Sequence, residues 1–302
     1  MITDQLIERI IALQNPTCVG LDTLFDYLPD DMKAGVSTFE GAAERIFDFN
    51  KKLIDTLKDF IPSVKVQIAY YEMYGVAGLK AFEETLKYAT EQGLVVIADA
   101  KRNDIGSTAS CYAKTFLGET AVGEKNYKPF PADYVTVNGY LGTDGIAPFV
   151  DECVKNEKGI FVLVKTSNPS SGELQNLVLE NGKPVYEYMG NLVEKWGEST
   201  IGQYGYSAVG AVVGATHPTE ASLLRKALPH TFFLIPGYGA QGGNAEMLKS
   251  CFGVNGLGGV VNNSRGILCA YKKNGGTYYD AARAACVAMQ KDLSSVIGRM
   301  GR

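Results

Sequence analysis

Leu94-Val95-Val96-Ile97-Ala98-Asp99-Ala100-Lys101-Arg102-Asn103-Asp104 carries an unbroken apolar run straight into a cluster of charge. A strand that is apolar at successive positions is buried on both faces, as in a parallel sheet covered by helices, and such sheets do their chemistry where the strands end. The charge therefore sits where chemistry is expected. Side chains alternate along a strand, so Asp99 and Lys101 point the same way, while Asp104 falls on the next turn of chain. Alone, the segment leaves room for a lesser reading, a solvated ion pair opening a helix.

Its surroundings repeat the pattern. Apolar runs bounded by Gly or polar turns lie at 17–22, 64–68, 94–99, 134–138, 160–165, 208–213, 232–235 and 259–262. Helical segments separate them. One spans 39–60, where Ser37 and Glu40 make a capping box, and another spans 73–91, closed by Gly93 in the left-handed position. Near-continuous strands alternating with amphipathic helices predict a parallel sheet, and eight units fit a closed (β/α)8 barrel, with an open doubly wound sheet as the alternative. No Pro/Gly/Ser-rich linker interrupts the series, so residues 1–302 are expected to form a single barrel domain preceded by an N-terminal helix. The irregular stretch 168–186 after strand five reads as an extended loop, either a functional cover or a tolerated insertion.

Composition narrows the function. The 302 residues are 46% hydrophobic and 21% charged, ordinary for a globular protein with a sizeable core. A net charge of −4 offers no broad basic field, which argues against a nucleic-acid partner and requires any anion site to be built from a few residues. Cys18, Cys111, Cys153, Cys251, Cys269 and Cys286 are scattered, and only His217 and His230 accompany them, so neither a zinc cage nor a disulfide framework is expected. Residues 1–13 mix Asp4, Glu8 and Arg9 with apolar residues and read as an amphipathic helix, not a signal peptide. No run approaches the roughly 18 apolar residues of a membrane span. A cytoplasmic protein without membrane contact is the expectation.

In a barrel, strand ends converge on one rim, and polar residues distant in sequence become neighbours there. Asp22, Lys65, Asp99, Lys101, Asn138 and Lys165-Thr166-Ser167 all fall at or near strand ends. Any one of them could simply mark where a strand meets water, but together they make a candidate site. Gly237-Tyr238-Gly239-Ala240-Gln241-Gly242 matches G-x-G-x-x-G, yet a dinucleotide fingerprint belongs after the first strand with an acid about 20 residues on. This one follows the seventh, and no acid ends the eighth. Its small residues still let backbone N–H groups approach an anion, and Arg265 supplies a cation that can grip phosphate with two parallel hydrogen bonds.

Taken together, D-A-K-R-N-D-I-G-S-T at 99–108, V-K-V-Q at 64–67, K-T-S-N-P at 165–169, P-G-Y-G-A-Q-G-G at 236–243 and N-S-R-G at 263–266 resemble the orotidine 5'-phosphate decarboxylase family in its long bacterial form. The resemblance implies a (β/α)8 barrel assembled as a homodimer that releases CO2 and uridine 5'-monophosphate in pyrimidine biosynthesis, with no cofactor or metal. It makes Lys65, Asp99, Lys101 and Asp104 an alternating charged array, with Lys101 the proton donor and Asp104 given across the dimer interface. By the same resemblance, Asp22 contacts the ribose and Thr108 reaches the neighbouring subunit's ligand. Ser167 meets the pyrimidine amide, while Gln241 and Arg265 hold the phosphate. Asn138 receives no role.

Three rivals follow from the residues. A Schiff-base aldolase needs a neutral lysine, which acids beside Lys101 disfavour, although Lys65 opposes that effect. A metal-dependent sugar-phosphate decarboxylase or aldolase of the same superfamily carries a metal-holding acid at the second strand, where this chain has Lys65. A non-catalytic barrel that binds a phosphate ligand would have no use for the full charged array.

Overall fold

All eight apolar runs become strands. In the computed structural model, which describes residues 1–239 and 243–301, they are β1 (Thr17–Gly20), β2 (Ser63–Gln67), β3 (Val95–Arg102), β4 (Tyr134–Val137), β5 (Gly159–Lys165), β6 (Val209–Val213), β7 (Phe233–Ile235) and β8 (Gly259–Asn263). Each pairs in parallel with the next, and β8 pairs with β1, so the sheet closes. The open-sheet alternative is thereby excluded.

The longer helices are α1 (Ile2–Leu13), α2 (Phe39–Leu57), α3 (Gly75–Glu91), α4 (Gly106–Leu117), α5 (Thr143–Asn156), α6 (Val185–Gly197), α7 (Pro218–Ala227) and α8 (Tyr278–Ile297). Two boundaries differ from expectation. The cap of α2 is Thr38 and not Ser37: Thr38 has the extended backbone a cap requires, and its Oγ1 accepts from the Gly41 N–H at 3.1 Å. The helix ahead of Gly93 starts at Gly75 and not at Met73, because Gly75 takes φ 62° and separates it from a single turn at Ala69–Glu72. Gly93 itself adopts φ 77°, as its place after α3 predicts.

Alternation sorts the strand residues into two cores. Val96, Ala98, Val135, Val137, Ile160 and Val162 face outward under the helices, whereas Val95, Ile97, Tyr134, Phe161 and Val260 fill the barrel. Helix α1 plugs its N-terminal mouth with Ile2, Leu6, Ile7 and Ile10, and Thr3 Oγ1 lies 2.8 Å from the Tyr134 hydroxyl. The plugged end leaves the C-terminal rim for ligands.

The stretch after β5 is folded rather than irregular. It contains a 3-10 turn at Pro169–Ser171, a helical turn at Gly172–Gln175 and a bridge between Val178 and Pro184. A short antiparallel hairpin, Thr120–Val122 with Lys125–Tyr127, is an addition that the apolar pattern does not signal, since all six of its residues are exposed.

Candidate active site

At the C-terminal end of the barrel, parity carries the inward side from apolar to charged. Ser63, Lys65 and Gln67 share the inner face of β2; Val95, Ile97 and Asp99 share that of β3; and Thr136 follows Tyr134 on β4. Lys65 is 4% exposed and Asp99 7%, so both charges are nearly out of water. They are kept charged by one another.

Lys65 Nζ lies 2.9 Å from Asp99 Oδ2 and 3.0 Å from Asp22 Oδ1, and Lys101 Nζ lies 2.6 Å from Asp99 Oδ1. The remaining carboxylate capacity is filled by neutral donors. The Thr136 hydroxyl donates to Asp99 Oδ1 at 2.8 Å, the Gln67 amide to Asp99 Oδ2 at 2.9 Å, and the Ser264 hydroxyl to Asp22 Oδ2 at 2.7 Å. Such full satisfaction is what makes a buried ion network tolerable. Burial on its own would lower the Lys65 pKa, but Asp22 and Asp99 outweigh it and hold the ammonium above the ordinary lysine range. Burial likewise opposes ionisation of Asp99, and Lys65 with Lys101 overrides it, leaving the carboxyl well below the usual carboxylate range.

Lys101 sits at φ 49°, an uncommon conformation for a residue with a side chain. The pairing register of β3 shifts at this point, and the Lys101 backbone N–H donates to Thr136 Oγ1 at 3.0 Å. Its side chain is 45% exposed, far more than its partner Asp99. The ammonium is thus anchored at one end and open to the rim at the other.

Asp22, Lys65 and Asp99 line a cleft of about 390 Å³ together with Tyr27, Tyr70, Pro236, Gly237, Tyr238, Asn262, Asn263, Ser264 and Arg265. Charged residues from the first three strands therefore share one cavity with the loops after β7 and β8. Gly20 makes the join possible, because a Cβ there would collide with the Ser264 hydroxyl. Arg265 opens a helical turn just past β8. Gln241 lies outside the described residues. The flanking backbone folds back on itself, with the Gly239 N–H donating to Gly243 O at 2.8 Å.

Other candidates stand apart from the cleft. Asp104 is half-buried beyond β3, and its Oδ1 accepts only the neighbouring Ile105 N–H, at 2.7 Å, among the described residues. Thr108 is exposed in the first turn of α4. Ser167 lies on the rim past β5, half-buried, with its carbonyl accepting from Thr216 Oγ1 at 3.3 Å. Asn138 caps the turn Gly139–Leu141 by accepting from the Tyr140 N–H at 2.9 Å, a local structural task.

Sequence reasoning missed Thr136, Gln67, Ser264 and the three tyrosines of the cleft. Parity with Tyr134 and Lys65 could have found Thr136 and Gln67. Tyr27 and Tyr70 come from segments between strands and helices, where no period points the way.

The donor set does not suit a divalent cation, because the Lys65 ammonium already stands between Asp22 and Asp99. What the arrangement offers is a fixed row of alternating charge beside an arginine and a glycine-rich loop.

Residues 17–273 match the family described as Orotidine 5'-phosphate decarboxylase / HUMPS family. The chain is 43% identical over 300 residues to a Clostridium botulinum (strain Hall) protein named orotidine 5'-phosphate decarboxylase, an alignment covering 98% of this chain and 100% of the relative. A protein of the same name from Clostridium perfringens (strain SM101) is 42% identical over 300 residues, covering 98% and 99%. Among solved structures, that of Leishmania donovani OMP decarboxylase is similar with a TM-score of 0.73 and 28% identity, covering 98% of each chain.

Proposed function

The chain belongs to the orotidine 5'-phosphate decarboxylase / HUMPS family, and from that premise we propose that it converts orotidine 5'-monophosphate to uridine 5'-monophosphate and CO2, with Lys101 as the proton donor. The observation that carries the reading is the row Asp22, Lys65, Asp99, Lys101, linked by contacts of 2.6–3.0 Å at the mouth of the barrel.

Loss of CO2 from a pyrimidine ring carbon leaves an electron pair in the ring plane, where no neighbouring carbonyl can delocalise it. An ammonium held beside that carbon stabilises the charge directly, and does so more strongly in a closed site than in water. Asp99 holds Lys101 by its Nζ, Thr136 fixes both, and Lys65 with Asp22 keeps Asp99 ionised. Lys101 then delivers its proton to the ring carbon. Asp22 faces the ribose, Ser167 meets the pyrimidine amide, and Arg265 with Gln241 holds the phosphate, whose binding energy orders the charges at the remote reacting bond.

The working unit in this reading is a homodimer in which Asp104 and Thr108 complete the partner's site. In support, the Asp104 carboxylate is paired with no cation of its own chain among the described residues, and its neighbour Ile105 leaves apolar surface 56% exposed. All six cysteines are free thiols, as suits a reducing cytoplasm, and among the described residues no helix is long and apolar enough to cross a membrane. A metal-dependent aldol reaction is disfavoured by the lysine between Asp22 and Asp99.

The test follows the ultraviolet absorbance of orotidine 5'-monophosphate with EDTA-treated protein. Full turnover supports the reading. Loss of activity restored by Mg²⁺, or no turnover at all, overturns it.

A further inference from the structure

Lys165 closes β5 and is completely buried, yet it contacts neither the cleft nor any carboxylate within 4 Å among the described residues. Its Nζ donates to Asn176 Oδ1 at 2.8 Å and lies 3.4 Å from Ser171 Oγ, with the Tyr186 ring of α6 5.5 Å away. Burying an amine is costly, and an apolar side chain would fill the same space more cheaply. What the amine adds is a polar tie from the end of β5 to the 171–176 turn, through Asn176 and Ser171.

The next residue is gripped from that same turn. Gln175 Oε1 accepts the Thr166 N–H at 3.0 Å while its Nε2 donates to Thr166 Oγ1 at 2.7 Å. On the opposite side, the Gly214 N–H donates to Lys165 O at 2.7 Å, and a Cβ at Gly214 would come within 2.8 Å of the Ser167 N. Three consecutive residues are thus clamped between the turn and the end of β6, and the third of them is Ser167.

We propose that Lys165, with Asn176 and Gln175, is a positioning residue for recognition of the pyrimidine base: the staple between β5 and the 171–176 turn sets where the Ser167 hydroxyl stands. This rests on the reading of Ser167 as the base contact. A ligand with a base should feel the staple, and one without should not.

The test compares Lys165→Met and Asn176→Ala with the wild type and with Ser167→Ala. Asn176 is exposed, so its substitution guards against a mere folding failure at Lys165. Both staple variants are expected to weaken uridine 5'-monophosphate binding and kcat/KM by about ten-fold while leaving affinity for ribose 5-phosphate unchanged. In the Ser167→Ala background neither should cost anything more. Native kcat/KM in both staple variants, or equal loss for both ligands, overturns the staple while leaving Ser167 in place. Native kcat/KM in Ser167→Ala overturns the base-contact reading and the staple with it.

Discussion

Thr136 donates its hydroxyl proton to Asp99 Oδ1 at 2.8 Å and, with the same oxygen, accepts the Lys101 backbone N–H at 3.0 Å. One neutral side chain on β4 thereby holds both the buried carboxylate and the backbone of the residue that carries the exposed ammonium. Thr136→Val keeps the shape and removes both bonds. It should lower kcat by about ten-fold and stability by roughly 1–3 kcal/mol, read by steady-state kinetics and chemical denaturation. A native kcat would show that the hydroxyl has no hold on the pair.

Lys101→Ala should abolish turnover while uridine 5'-monophosphate still binds, since the proposed phosphate and ribose contacts, Arg265 and Asp22, line the cleft and Lys101 stands at its rim beside Asp99. Calorimetric titration and a single-turnover assay check the two halves. A near-native rate would remove Lys101 from the mechanism.

Mixing inactive Lys101→Ala with inactive Asp104→Ala should restore activity. If subunits exchange freely, half the dimers are hybrids and each has one intact site, so recovery should approach about a quarter of the wild-type rate. No recovery, with exchange verified by mass spectrometry, would argue against a shared site.

Arg265→Ala should raise KM strongly and lower kcat as well, because energy from the remote phosphate is used at the reacting bond. An unchanged KM would place the phosphate elsewhere.

The charged row also sets a pH window for stability. The Asp99 pKa is lowered from its ordinary 3.8, so its contribution is present above that value and is lost as the pH falls towards the lowered one. The Lys65 pKa is raised from its ordinary 10.5, so its contribution is present below that value and is lost as the pH rises towards the raised one. Between these limits the network's contribution should be flat. Breaking the pair with Asp99→Asn should cost roughly 3–5 kcal/mol at neutral pH. The gap to wild type, followed by denaturant titration, should narrow below about pH 3.8. A gap that widens in acid would contradict the sign.

Much of this molecule was legible from local pattern. The apolar run ending at Asp99 and its seven counterparts marked all eight strands, and two-residue alternation put Asp99 and Lys101 on one side of β3. These features depend only on the period of a strand and on which residues leave water. The sequence also set Gly237 and Tyr238 beside Arg265 as one candidate site, and these three residues do line the same cleft.

Closure of the sheet decided the rest. Ser264 reaches Asp22 across 242 positions of sequence, and Thr136 reaches Asp99 across 37, because pairing β8 with β1 and β3 with β4 sets which strand ends face each other. Nothing periodic in either strand names its partner. The positive φ of Lys101 and the clamp of Gln175 on Thr166 are likewise products of packing, where neighbouring elements hold a backbone in a conformation its own residues do not prefer. A period is a property of one segment, whereas a contact belongs to two, and only the folded chain brings the second to the first.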